Sequence, residues 1–346
     1  MPRLVYKFFA LAILVGSLAV GYLWWDAKNY LNSPLLLTSD EKVIHVEQGS
    51  NLTRLLYRLQ KQNVVTKPRY LLWYARLFST PNTLHVGEYQ ITRSDTPLSL
   101  IEKLLSGKVK LYSLTIIEGW NFSQMMAEVN KNPVLLHKLK GLSDSRIMQE
   151  IGKQNVHPEG RFMPDTYRYP KGMSDTDILK QAYTAMENYL AKQWPDRDVG
   201  LPFKTPYEAL ILASIVEKET GLASERGQIA GVFVRRLQAR MRLQTDPTVI
   251  YGMGKNFKGN IKRRDLKRDT PYNTYRRHGL PPTPIAMPSK EAIDAALHPV
   301  AGETLYFVSK GDGSHYFSAT LKEHNNAVIK YQLKGRKRPF SSYKTE

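Results

Sequence analysis

Hydrophobic and polar positions follow several distinct rhythms along this chain. The first is an unbroken apolar run: residues 8–25, "FFALAILVGSLAVGYLWW", carry no charge, follow Arg3 and Lys7, and stop at Asp26 and Lys28. Eighteen residues at about 1.5 Å each come close to a bilayer's hydrocarbon thickness, and Tyr22, Trp24 and Trp25 match an interfacial aromatic belt. A cleaved signal peptide has a shorter apolar core and a small-x-small site. This run closes on Trp-Trp, so it reads as an uncleaved anchor. The positive-inside rule then leaves Arg3 and Lys7 in the cytoplasm and exports the chain beyond Asp26.

After a linker around "NYLNSPLLLTSDEK", alternation takes over. "KVIHV" predicts a short strand and Gly49-Ser50 a turn. A helix comes next, with Ser50 or Asn51 as N-cap and Leu52, Leu55, Leu56 and Leu59 on one face. "LHVGEYQITRSDTPLSLIEKLLSGKVK" repeats strand, turn and helix, with Gly107 as terminator. Farther on, "LYSLTIIEG" is strand-like and "DTDILKQAYTAMENYLAKQW" helical. Thr205 and Pro206 open a long helix to about Thr220, and "SERGQIAGVFVRRLQARM" predicts another. A turn-rich tract leads to a hairpin on Gly311-Asp312-Gly313 and a final helix. The predicted class is α+β. Residues 1–28 form a cytoplasmic tip and transmembrane anchor, 29–111 a linker and small α+β subdomain, and 112–346 a larger α+β domain.

The long helix carries the candidate chemistry. At about 100° per residue, Leu212, Ile215, Val216 and Glu219 share one stripe, while Glu217 turns toward Ala213 and Leu210. A carboxylate on an apolar stripe loses hydration, which raises its pKa and suits it to general-acid work. Glu219 is therefore the candidate acid and Glu217 the runner-up. The plain alternative is that both are solvated at a fraying helix end.

Composition narrows the setting. The 346 residues are 42% hydrophobic and 23% charged, as in ordinary globular proteins. Fifty Lys and Arg against 31 Asp and Glu leave +19, which favours nucleic acid, anionic lipid or an acidic polymer. Export argues against nucleic acid. The absence of cysteine excludes disulfides, thiol catalysis and Cys-containing metal sites. His315 and His324 lack partners at metal-ligand spacing and read as structural or surface residues. No glycine-rich phosphate loop is present, so neither a metal nor a nucleotide cofactor is expected.

Within about 70 residues, "SIVEKET", "ASER", "MRLQTDPTVIYGMG", "YNTY" and "GLPPTPI" occur in order. Together with "GEYQI", "IIEGW" and "PEGRFMPDTY" before them and "LYFV" and "GSHYFSATLKEHN" after, this series resembles the endolytic murein transglycosylases of the YceG-like family. The resemblance implies an inner-membrane protein held by residues 8–25, with a periplasmic LysM-like subdomain and a catalytic domain. It implies peptidoglycan glycan strands as substrate, cut inside nascent strands between N-acetylmuramic acid and N-acetylglucosamine; an enzyme acting on new strands is expected to work beside peptidoglycan synthases as partners. It also implies a single catalytic glutamate, placed here on Glu219. In such a reaction the sugar's own 6-hydroxyl replaces water, so no second carboxylate is required.

Other assignments rest on residue type. Gln244, Thr245 and Asp246 suit sugar N-acetyl and hydroxyl groups, or form a turn around Pro247. Tyr272, Asn273 and Tyr275 offer stacking and hydrogen bonds, or packing. Glu118 and Glu159, each before glycine, line a groove or cap turns. The basic excess would hold the body near muramoyl-peptide carboxylates and anionic lipid. A reading from another class keeps the wall contact without chemistry: a peptidoglycan-binding scaffold of the synthesis machinery.

Overall fold

In a computed structural model, residues 2–47, 49–78, 84–333, 335 and 336 are described, with side chains from residue 5 onward; the side chain of Arg3 lies outside the described residues. The chain forms two compact units, Met1–Tyr112 with Arg168–Gly172, and Ser113–Tyr167 with Met173–Glu346.

The first unit begins with helix α1 (Pro2–Leu31), which is long and apolar enough to cross a membrane from Val5 to Leu31. Next come β1 (Glu41–Val46), α2 (Leu52–Lys61), α3 (Pro68–Phe78), β2 (Gly87–Thr92), α4 (Pro97–Ser106) and the first two residues of β3 (Leu111–Ile116), which continues into the second unit from Ser113. Strands β1 and β2 pair antiparallel, Glu41 opposite Thr92 and Val46 opposite Gly87. Asn51 caps α2 by accepting from the Arg54 N–H, and Thr96 with Ser99 forms a capping box on α4. The four leucines of α2 meet Leu100, Ile101 and Leu104 of α4, Leu71 of α3, and Ile44, Tyr89 and Ile91 of the strands in one core. The linker expected from residue 29 is partly structure: α1 continues to Leu31, and Leu35 is buried with its N–H on the Asp95 carbonyl. Gly87 is required as glycine, because a Cβ there would meet Val109 Cγ1 at 2.6 Å.

The second unit contains α5 (Phe122–Lys131), α6 (Asp144–Glu150), β4 (Asp165–Pro170), α7 (Asp175–Gln193), α8 (Pro206–Glu219), α9 (Arg226–Gln238), α10 (Asp246–Met253), α11 (Arg263–Lys267), α12 (Lys290–Leu297), β5 (Tyr306–Ser309), β6 (His315–Ser318) and α13 (Leu321–Tyr331). β3 pairs with β4, whose last residues belong to the first unit, and β5 with β6. Helix α8 is the hub. Thr205 caps it, Pro206 occupies its first turn, and every side chain from Ala209 to Val216 is buried. Ile229, Ala230 and Phe233 of α9, Ile293, Ala296 and Leu297 of α12 and Met186 of α7 surround it. A helix enclosed on all sides needs no polar stripe, and α8 carries none until Glu217. Ser214 is the one buried polar residue along it; its hydroxyl donates to Ile211 O and accepts the Ile285 N–H at 3.0 Å, fixing the incoming 285–289 segment.

Candidate active site

Helix α8 ends where its apolar enclosure ends, and Glu219 is its last residue. The Glu219 carboxyl is partly buried and opens on a cavity of about 500 Å³. Four elements supply the rest of the wall: Arg236 from α9, Gln244 and Asp246 at the start of α10, Tyr306 and His315 from the β5–β6 hairpin, and His324 and Asn325 from α13. Tyr275 completes it.

The α10 entry is held rigidly. Gln244 has a left-handed backbone (φ 55°), a conformation that costs a non-glycine residue free energy and persists only when its surroundings hold it. Here they do: Gln244 N–H bonds Thr274 O at 3.2 Å, Thr245 N–H bonds Thr274 Oγ1 at 3.1 Å, and the Thr248 and Thr274 hydroxyls meet at 2.9 Å. This threonine cluster aims the Thr245 hydroxyl at Glu219 Oε1, to which it donates a short hydrogen bond. Asp246 is held in turn by the Tyr275 hydroxyl at 2.6 Å.

Loss of hydration pushes the Glu219 carboxyl up to about 7, with the nearby Asp246 adding to the rise; the Thr245 hydrogen bond, His315 and Arg236 oppose it. Arg236 is buried at 7% exposure. It donates to Leu305 O at 2.6 Å and Leu243 O at 2.8 Å, and stands 5.1 Å from the Tyr306 ring centre, so one guanidinium ties β5 to the α10 entry. Across the cavity, Glu225 accepts from the His315 N–H at 2.9 Å and pairs with its ring Nδ1 at 2.7 Å. That contact fixes the ring, which lines the cavity. His324 stacks on Tyr306 at 5.2 Å, and burial pulls it below the ordinary histidine range, which favours its neutral form.

Of the residues expected from sequence, Glu219, Gln244, Thr245, Asp246 and Tyr275 come together here. The others lie elsewhere. Glu217 accepts from Ser289 N and Oγ at 3.0 and 2.5 Å and so secures the N-cap of α12. Asn273 is buried, donating to the carbonyls of Asp265, Leu266 and Arg268 and accepting the Tyr275 N–H, which makes it the organiser of a loop. Tyr272 packs on Tyr251 at 4.9 Å and hydrogen-bonds Thr283. Glu159 is buried, accepting from the Phe122 N–H at the start of α5 and from the Tyr251 hydroxyl, and burial pushes it up to about 7. Glu118 lies in a separate surface cleft beside Asp165, Lys290 and Glu291. Sequence reasoning missed Arg236, Glu225 and Asn325, and read His315 and His324 as structural or surface residues. Their signal was position: both histidines fall inside the "GSHYFSATLKEHN" segment and Glu225 inside "ASER".

The YceG-like family model matches residues 44–330. An endolytic murein transglycosylase of Bacillus subtilis is 31% identical over 312 residues, covering 83% of this chain and 84% of that protein. Another, from Streptococcus pneumoniae, is 25% identical over 338 residues, covering 87% of this chain but 61% of the longer relative. The crystal structure of a YceG-like protein from Listeria monocytogenes aligns with a TM-score of 0.53 at 28% identity, over 84% of this chain and 99% of that one. With a family match across most of its length and a relative above 30% identity over four fifths of it, the chain belongs to the YceG-like family.

Proposed function

We propose that this chain is a membrane-anchored endolytic lytic transglycosylase of peptidoglycan, with Glu219 as its catalytic acid and base. The observation that carries the reading is a carboxyl raised to about 7, ending a buried helix and facing a saccharide-sized cavity. Relatives bearing that activity in their names support it. Protonated Glu219 gives its proton to the glycosidic oxygen between N-acetylmuramic acid and N-acetylglucosamine as the C1–O bond breaks. The muramoyl 6-hydroxyl then attacks C1, and the Glu219 carboxylate takes its proton. The product is a 1,6-anhydro end, no water is consumed, and Glu219 returns to its starting state. Gln244, Asp246 and Tyr275 hold the sugar beside it, while Thr245 keeps the carboxyl in one orientation.

The rest of the molecule fits that setting. Helix α1 anchors the chain in the inner membrane with the body in the periplasm, and the first unit, whose two strands and leucine-faced helices form one small core, serves as a LysM-like glycan-binding module. A cutter tethered at the membrane works on new strands beside the synthases that make them, and its cut sets their length.

A second reading is hydrolysis, which Asp246 favours as a second carboxylate lining the same cavity. Incubating the full chain and its Glu219→Gln variant with uncrosslinked glycan strands, and analysing products by mass spectrometry, separates the two. Internal cuts with 1,6-anhydro ends, lost in the variant, support transglycosylation. Reducing ends mean hydrolysis with Asp246 as partner, and no cleavage by folded protein means a binding scaffold.

A further inference from the structure

Helix α3 has two apolar faces. Pro68, Leu71 and Ala75 are buried in the first unit's core. A second stripe, at Tyr70, Trp73, Tyr74, Leu77 and Phe78, repeats at helical spacing on another side, and its large members are open: Trp73 is 50% exposed, Leu77 73% and Phe78 63%. Arg69 and Arg76, seven residues apart, lie between the faces and are exposed, and the helix has no acid.

The second stripe continues the surface of α1. Near the start of α3, Lys67 Nζ bonds Asp26 at 2.7 Å, the Tyr70 hydroxyl bonds the same carboxylate at 2.6 Å, and the Tyr30 and Tyr70 rings lie 6.0 Å apart. At the far end, Leu77 and Phe78 line one apolar groove of about 360 Å³ with Val20, Leu23 and Trp24. So α3 runs back along α1, from the polar level of Asp26 to the level of Val20. A bilayer crossed by α1 has its interface where the apolar run meets Trp24, Trp25 and Asp26.

We propose that α3 is a second membrane contact, its Trp73–Phe78 end sunk into the boundary between headgroups and acyl chains. Lys67 and Arg69 sit at headgroup height, where cations meet anionic lipid, and Arg76, nearer the sunk end and between the two faces, reaches back toward the headgroups along its aliphatic stem. The inference rests on the reading of α1 as the anchor. It adds that the first unit is docked on the bilayer by two helices, which restricts how far it can swing from the surface.

The chain has no cysteine, so a single introduced one carries a nitroxide without background. The full chain is reconstituted in phosphatidylethanolamine–phosphatidylglycerol vesicles with labels at Leu14→Cys in α1, Leu77→Cys in α3, and Arg54→Cys on the exposed side of α2. Collision rates with oxygen, which enters lipid, and with a water-soluble nickel chelate are compared. The expected result is a ratio of oxygen to nickel collisions at Leu77→Cys several-fold above that at Arg54→Cys and close to that at Leu14→Cys, with Phe78→Cys repeating it. A water-like ratio at Leu77→Cys with a lipid-like one at Leu14→Cys overturns the inference and leaves the anchor standing. A water-like ratio at Leu14→Cys overturns both. Dipolar broadening between Leu77→Cys labels that vanishes on dilution with unlabelled chain shows a second copy covering the stripe, and also overturns it.

Discussion

Ser289 holds Glu217 from two sides, through its backbone N–H at 3.0 Å and its hydroxyl at 2.5 Å, while the same hydroxyl oxygen accepts from the Ala292 N–H to cap α12. An acid two residues before the proposed catalytic one is thus committed to joining two helices. Glu217→Ala leaves Ser289 N–H in a largely enclosed place without its acceptor, a loss of about 1–3 kcal/mol. The expected outcome is a melting temperature lowered by several degrees with cleavage retained, measured by calorimetry and product analysis. Loss of cleavage at unchanged stability would transfer the catalytic role to Glu217.

Glu219 must be protonated for the first step, and its carboxyl titrates near 7. The protonated fraction falls tenfold per pH unit above that point, so the rate should hold below pH 7 and decline above it. A pH–rate profile under single-turnover conditions checks this. A midpoint near 4.5, the ordinary value, would mean the carboxyl is solvated and the acid lies elsewhere.

Stability follows the same groups. Glu159 and Glu219 both bind a proton more tightly folded than unfolded, with folded values of about 7 against 4.5. Their contribution is fully present below pH 4.5 and is lost as pH rises toward 7; each shift corresponds to at most about 3 kcal/mol. Melting temperature should therefore fall between pH 5 and 8. Glu219→Gln should flatten that decline and melt higher than the parent at pH 8, because it removes an enclosed charge.

Thr245 is the only hydroxyl on Glu219 among the described residues, and its hydrogen bond favours the carboxylate. Thr245→Val keeps the shape and removes the bond. The midpoint of the pH–rate profile should move upward, and turnover at pH 6 should drop about tenfold, in line with about 1.5 kcal/mol for a hydrogen bond to a charged group. An unchanged profile would show the contact is idle.

Glu225 fastens the hairpin wall through two contacts to His315. Glu225→Ala should loosen that wall, raising KM severalfold with a smaller effect on kcat, and steady-state kinetics on defined strands separates the two.

How much of this was legible before the fold was known varied with the range of the interaction. The stripe from Leu212 to Glu219 is local, and the apolar run that predicts a buried helix up to these acids is the buried α8, although its enclosure on every side means that periodicity alone did not separate Glu219 from Glu217. The leucines of α2 and the hairpin at residues 311–313 were legible for the same reason. Helix α3 was not, because its apolar residues fall in two stripes and no single period stands out. Tyr272 and Asn273 were judged by side-chain chemistry, which says nothing about direction; tertiary packing turned both inward. Arg236 and the two histidines reach the cavity only through contacts that span dozens of residues, beyond any local pattern.

The enclosure of α8 bears on time as well as on charge. Amides of a helix wrapped on all sides exchange with solvent only when the whole unit opens, whereas a hairpin with an exposed turn opens alone. The proposed acid hangs from a helix that opens only with its whole unit, while Tyr306 and His315 on the facing wall belong to a hairpin whose turn at residues 310–313 is exposed. A strand would thus enter and leave by hairpin motion while the helix that carries the carboxyl keeps its packing, so that the same enclosure sets its proton affinity through each cycle of threading and release.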